Sequence, residues 1–132
     1  MNAVFADTFC FLALLRRDDP AHPRALAESR LNRPIVTSEF ILLECGNACA
    51  RSEDHADLIA LVEGMRASPR IRIVLLDSQL LNRGLQLMAS RHDKDWSLTD
   101  CVSFVVMQDA DLREALTADQ HFEQAGFKTL LA

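Results

Sequence analysis

Glycine is scarce in this chain. Only four occur in 132 residues, and none belongs to a G-x-G-x-x-G or Walker sequence, which removes the phosphate-cradling loops of dinucleotide-binding and P-loop proteins. No C-x-x-C pair occurs among Cys10, Cys45, Cys49 and Cys101, so a dithiol redox centre is excluded, and no Ser-His-Asp set competes as a catalytic centre. Cys45 and Cys49 are one helical turn apart but have no second ligand pair to complete a zinc site. All four cysteines lie in apolar helical surroundings and read as small buried hydrophobes of a reducing compartment, so a cytoplasmic protein is expected. No apolar run approaches the roughly 18 residues that span a bilayer. The segment Phe9 to Leu15 follows Asp7 and precedes Arg16-Arg17, the wrong charge order for a secretory signal. No association with a membrane is expected.

With 49% hydrophobic and 25% charged residues the composition is that of a globular protein, and one domain spanning residues 1–132 is expected. The net charge of −5 argues at first against a nucleic-acid partner, because phosphate contacts dominate that affinity. The sum changes if Asp7, Glu44, Asp100 and Asp119 are held by cations. The other fifteen of the 19 acids then face 14 bases, twelve of them arginine, whose planar fork suits phosphate. Arg16, Arg17, Arg24, Arg30 and Arg33 concentrate in the first quarter, where a solvated helical face explains them as well as an RNA track does.

Short apolar runs alternate with longer helical ones. Ala3 to Ala6, Ile35 to Thr37, Ile71 to Leu75, Glu114 to Leu116 and Lys128 to Leu131 read as strands. Helices are expected over Phe9 to Arg17, Ala21 to Asn32, Glu39 to Ala50, Ser52 to Met65, Gln79 to Arg91, a run opening at Thr99-Asp100, and Gln120 to Gln124. That alternation predicts a three-layer α/β/α sandwich with a mostly parallel sheet of roughly five strands. Thr99 is the expected N-cap of the Asp100 helix, Phe40, Leu43 and Ala48 the apolar face of the Glu44 helix, Asp77 an N-cap, and Gly126 a helix stop.

Asp7 and Asp119 fall directly after strands, where ligand sites gather in open α/β sheets. Glu44 interrupts an apolar helical segment, and Asp100 sits in a first helical turn. These four acids are candidates for one cleft, where their mutual repulsion calls for a divalent cation. Hard, oxygen-preferring Mg²⁺ or Mn²⁺ fits carboxylates, and the His and Cys residues are not spaced for Zn²⁺. Such ions acidify water and stabilise a leaving oxygen, so phosphodiester hydrolysis is the natural reaction. Ser103, one turn beyond Asp100, either faces that cleft or bonds back to its own helix.

The succession Phe5-Ala6-Asp7-Thr8, Ser38-Glu39-Phe40 leading to Glu44, Ser97-Leu98-Thr99-Asp100, and Leu116-Thr117-Ala118-Asp119-Gln120-His121-Phe122 with Gly126-Phe127 resembles the PIN domain. The likeness spans essentially the whole chain and is closest to the single-domain VapC-like toxins of bacterial toxin-antitoxin modules. It implies a metal-dependent endoribonuclease acting on RNA, with Asp7, Glu44, Asp100 and Asp119 as metal-binding catalytic acids and Mg²⁺ or Mn²⁺ as cofactor. It also implies homodimers and inhibition by a small antitoxin protein. Thr8, Thr99, Ser103 and Thr117 match polar positions that support such sites. The competing readings are a catalytically silent PIN-like binding or regulatory module and a receiver-like Mg²⁺-binding signalling domain using Asp7 and Asp77.

Overall fold

The computed structural model describes residues 2–132. In order they form β1 (Val4–Ala6), α1 (Thr8–Leu15), α2 (His22–Ser29), β2 (Ile35–Ser38), α3 (Glu39–Ala48), a 3-10 turn (Ser52–Asp54), α4 (His55–Ala67), β3 (Ile71–Val74), α5 (Ser78–Ser90), α6 (Leu98–Asp109), β4 (Glu114–Leu116), α7 (Gln120–Gln124) and β5 (Lys128–Thr129). All strand pairings are parallel, in the order β3-β2-β1-β4-β5. The expected fold class is borne out, an all-parallel five-stranded sheet clothed by helices. A receiver-like domain is wound in the order 2-1-3-4-5, so that reading is overturned by the topology.

The winding changes direction at β1, with β2 and β3 to one side and β4 and β5 to the other. In open α/β sheets the ligand crevice lies beyond the carboxyl ends of the strands at such a switch point, which here falls between β1 and β4. What lies beneath it is buried core. β1 is buried throughout, and seven consecutive residues of α6, Cys101 to Met107, are buried as well. Helices buried all round are apolar on nearly every face, which is why α6 reads as a hydrophobic run broken only by Ser103. Phe104 of α6 meets Phe122 of α7 edge-on at 5.0 Å and Trp96 edge-on at 5.0 Å, and Phe122 stacks on Phe5 of β1 at 6.2 Å. These rings sit two positions before Asp7, four after Asp100 and three after Asp119, so the core clamps the segments from which those acids project.

Two glycines have geometric reasons. A Cβ on Gly84 would lie 2.5 Å from Val102 Cγ2, so a side chain there would wedge α5 away from α6. Gly126 takes φ +96 just past α7, the left-handed stop that glycine adopts freely.

Two local expectations are corrected. The N-cap of α6 is Ser97, whose Oγ accepts the Asp100 N–H at 3.0 Å while Asp100 Oδ2 accepts the Ser97 N–H at 3.1 Å, a reciprocal capping box that leaves Thr99 inside the helix. In α3 the inward row is Ile41 and Cys45, continued by Cys49 at the cap. Leu43, about 200° around the helix from Ile41, is 60% exposed, and Ala48 is exposed too. All four cysteines are free and buried, as expected, and burial pushes the Cys10 and Cys45 thiols up to about 12, so both stay protonated. Among the described residues no helix is long and apolar enough to cross a membrane.

Candidate metal centre

β1 and β4 run side by side to the crevice, where the Asp7 N–H still donates to Leu116 O at 3.4 Å. Asp7 then occupies the N-cap of α1, a position where an aspartate ordinarily caps its own helix. Its carboxylate makes no such bond. Asp77 before α5 behaves in the ordinary way, its Oδ1 accepting the Leu80 N–H at 2.7 Å, as expected from its sequence. Asp7 instead reaches across the seam to the turn after β4, where the Thr117 hydroxyl donates to its Oδ2 at 2.9 Å.

Thr117 does two things at once. Fully buried, it donates to Asp7 and its Oγ1 accepts the Asp119 N–H at 3.1 Å, so one hydroxyl joins two acids 112 positions apart. Asp119 N-caps α7, with Oδ1 accepting the His121 N–H at 2.9 Å. Thr8, the first residue of α1, donates its hydroxyl to Glu44 Oε1, which fixes a carboxylate in mid-helix where solvent would otherwise claim it. Asp100 is approached by His121, whose Nδ1 lies 2.9 Å from Oδ2 and 3.6 Å from Asp119 Oδ1. Ligand atoms of Asp100, Asp119 and His121 all lie within 4.8 Å of one another.

The electrostatics match this crowding. Burial pushes the Asp7 carboxyl up to about 7 from an ordinary 3.8; hydrogen bonds from Thr117 and the Thr8 backbone pull it down, and the anions of Glu44 and Asp100 push it up again. No lysine or arginine donates to any of the four carboxylates among the described residues; their partners are hydroxyls, backbone N–H groups and one imidazole. Within Glu44, Asp100 and Asp119, one oxygen is tied by these donors and the other has no protein hydrogen bond among the described residues. An all-oxygen set of anchored carboxylates with free second oxygens fits a hard divalent cation, which would replace the missing positive charge.

Of the supporting hydroxyls, Thr8 and Thr117 contact the acids directly. Thr99 makes no side-chain hydrogen bond among the described residues. Ser103 is fully buried with an Oγ that has no partner there, so of its two expected roles the bond back to its own helix is not formed. His121 was not singled out from the sequence. The available signal was a histidine two residues past a strand-end acid; its approach to Asp100 arises only from the packing of α7 on α6.

The PIN domain model matches residues 4–128. This chain belongs to the PIN domain family. Among curated proteins, this PIN domain is 26% identical over 125 residues to the 23S rRNA-specific endonuclease VapC20 of Mycobacterium tuberculosis, covering 94% of this chain and 95% of that protein. Among solved structures it is similar to the crystal structure of Mycobacterium tuberculosis VapC20, a Sarcin-Ricin loop cleaving toxin, with a TM-score of 0.81 at 25% identity over 94% and 95% of the two chains. DNA-bound VapBC from Salmonella typhimurium shares the fold at a TM-score of 0.68 and 20% identity, over 98% of this chain and 97% of that one.

Proposed function

We propose that this PIN domain is a divalent-metal-dependent endoribonuclease, the toxin of a toxin-antitoxin module acting in the cytoplasm. In this reading Asp7, Glu44, Asp100 and Asp119 hold Mg²⁺ or Mn²⁺, Thr8 and Thr117 support them, and RNA is the substrate. A small antitoxin protein restrains the activity, and the working form is a homodimer. One observation carries the reading: four carboxylates gather about the switch point with no Lys or Arg paired to them among the described residues. A structural cluster would be paired with Arg or Lys; an uncompensated one is arranged for a cation from solution. The near full-length similarity to VapC20 supports RNA as the substrate class, and the presence of all four acids speaks against a silent member of the family.

Bound there, a hard divalent cation acidifies water and offsets negative charge at a reacting phosphoryl group. The protein's own part is preorganisation. Thr8 holds Glu44 by one oxygen, Thr117 holds Asp7 while fixing the backbone of Asp119, and the capping box with His121 holds Asp100. Each second oxygen is thereby aimed by groups that need not reorganise during reaction.

The test is RNA cleavage by purified protein with Mg²⁺, with Mn²⁺ and with EDTA, alongside Asp100→Asn. Cleavage should require the cation and fall at least about 100-fold in the variant, the scale of losing one preorganised electrostatic group. Metal-independent turnover, or full activity in Asp100→Asn, would falsify the proposal.

A further inference from the structure

His121 belongs to no set of acids and hydroxyls discussed so far, yet its ring stands between two of the carboxylates. It is the second residue of α7, its own N–H held at 2.9 Å by Asp119 Oδ1 and its Nδ1 placed 2.9 Å from Asp100 Oδ2. A carboxylate oxygen only accepts, so Nδ1 carries the hydrogen and donates. That Oδ2 already receives the Ser97 N–H at 3.1 Å. Two donors from different directions lock one oxygen of Asp100 and with it the carboxylate plane, leaving Oδ1 without a protein partner among the described residues. The same Nδ1 is 3.6 Å from Asp119 Oδ1, close enough to attract the second carboxylate toward the first. The ring is a quarter exposed, and Nε2 makes no protein hydrogen bond among the described residues.

We propose that His121 is a positioning residue that, through Nδ1–H, sets the spacing and orientation of the Asp100 and Asp119 carboxylates so that their free oxygens can share one divalent cation. This rests on the metal reading above and adds a residue to it. Hydrogen-bond partners of this kind change metal affinity by about 10- to 100-fold when removed, because the ligand must then be ordered at the moment of binding.

The experiment is calorimetric titration of Mn²⁺ into EDTA-treated, dialysed protein for wild type, His121→Ala, His121→Asn and His121→Gln, with melting in EDTA as the folding control. The Asn amide nitrogen sits near the position of Nδ1 and can donate to Asp100; the Gln amide reaches the position of Nε2 and cannot. Mn²⁺ affinity should fall about 10- to 100-fold in His121→Ala and His121→Gln and stay within about 3-fold of wild type in His121→Asn. Wild-type affinity in His121→Ala, or equal loss in Asn and Gln, overturns the proposal. If the Ala variant does not fold, the Asn and Gln pair decides. Metal-independent RNA cleavage by wild type, with the Mn²⁺ pattern intact, would sink the nuclease reading and leave this one standing. Wild-type protein that binds no Mn²⁺ would sink both.

Discussion

The two ends of β4 treat their carboxylates in opposite ways. At its start Glu114 is met by Arg33 at 2.6 Å and by Lys128 at 3.9 Å, across the neighbouring β5. Beyond its finish, Thr117 and Asp119 join a group of acids that meets no Lys or Arg among the described residues. Glu114 is partly exposed, whereas Asp7 is only 7% exposed and feels two further anions. The amino end of the sheet is therefore electrostatically closed, a tie between strands. The carboxyl end is left open, and it lies at the one place where the winding of the chain leaves room for a ligand. Burial without neutralisation opposes folding, so the contrast identifies the edge at which stability has been given up for binding.

Removing the charge at the open edge should have the largest effect on stability, and its sign is set by Asp7. A carboxyl at about 7 when folded and 3.8 when unfolded binds its proton more tightly in the folded protein. Below pH 3.8 both forms are protonated and nothing is lost; as pH rises toward 7 the unfolded state ionises first and stability declines, then levels off. Three units of such a shift correspond to about 4 kcal/mol, an upper bound for a cluster that can relax. In EDTA, the melting temperature of wild type relative to Asp7→Asn should fall between about pH 4 and pH 7, with the variant melting several degrees higher at pH 8. Mg²⁺ at pH 8 should raise wild type and leave the variant nearly unmoved. Parallel pH curves for the two proteins would show that Asp7 does not carry this penalty.

A smaller break leaves the charges in place and cuts one tie. Thr117→Val preserves shape but removes the donor to Asp7 and the acceptor for the Asp119 N–H. Stability should drop by about 1–3 kcal/mol, the scale for buried polar groups left unpaired. Mn²⁺ affinity should weaken by about 10-fold, since the Asp7 carboxylate and the Asp119 backbone lose their shared anchor together. Unchanged affinity with the same loss of stability would make Thr117 a core residue and nothing more.

Much of this is legible in the sequence, for reasons that differ by residue. Asp7 and Asp119 declare themselves because a buried parallel strand is a short apolar run, and the polar residue ending it must lie on the sheet's edge. Glu44 is legible because a charge inside an apolar helical stretch needs a partner, and Thr8 provides one. The cap of α6 is not legible because Ser97 and Thr99 are both good caps; only the reciprocal bonding of Ser97 and Asp100 decides between them. Leu43 reads as inward because it is apolar, whereas the row through Ile41 and Cys45 faces the core. His121 depends on how α7 docks against α6, and no local pattern encodes a contact with Asp100, 21 residues earlier.

The gentlest test strikes the closed edge. Glu114→Gln removes the charge that Arg33 and Lys128 share while keeping the side chain's size. Arg33 is largely buried and retains its bond to the Asn2 carbonyl at 3.0 Å, so its guanidinium is not abandoned. Partly exposed ion pairs of this kind contribute about 0–1 kcal/mol, so the melting temperature should fall by a few degrees at most. RNA cleavage and Mn²⁺ affinity should stay within about 2-fold of wild type, because the substitution touches none of the donors that hold the four acids. A large loss of activity in Glu114→Gln would mean that the amino edge transmits to the crevice through β4, and the division of labour between the two edges would have to be abandoned.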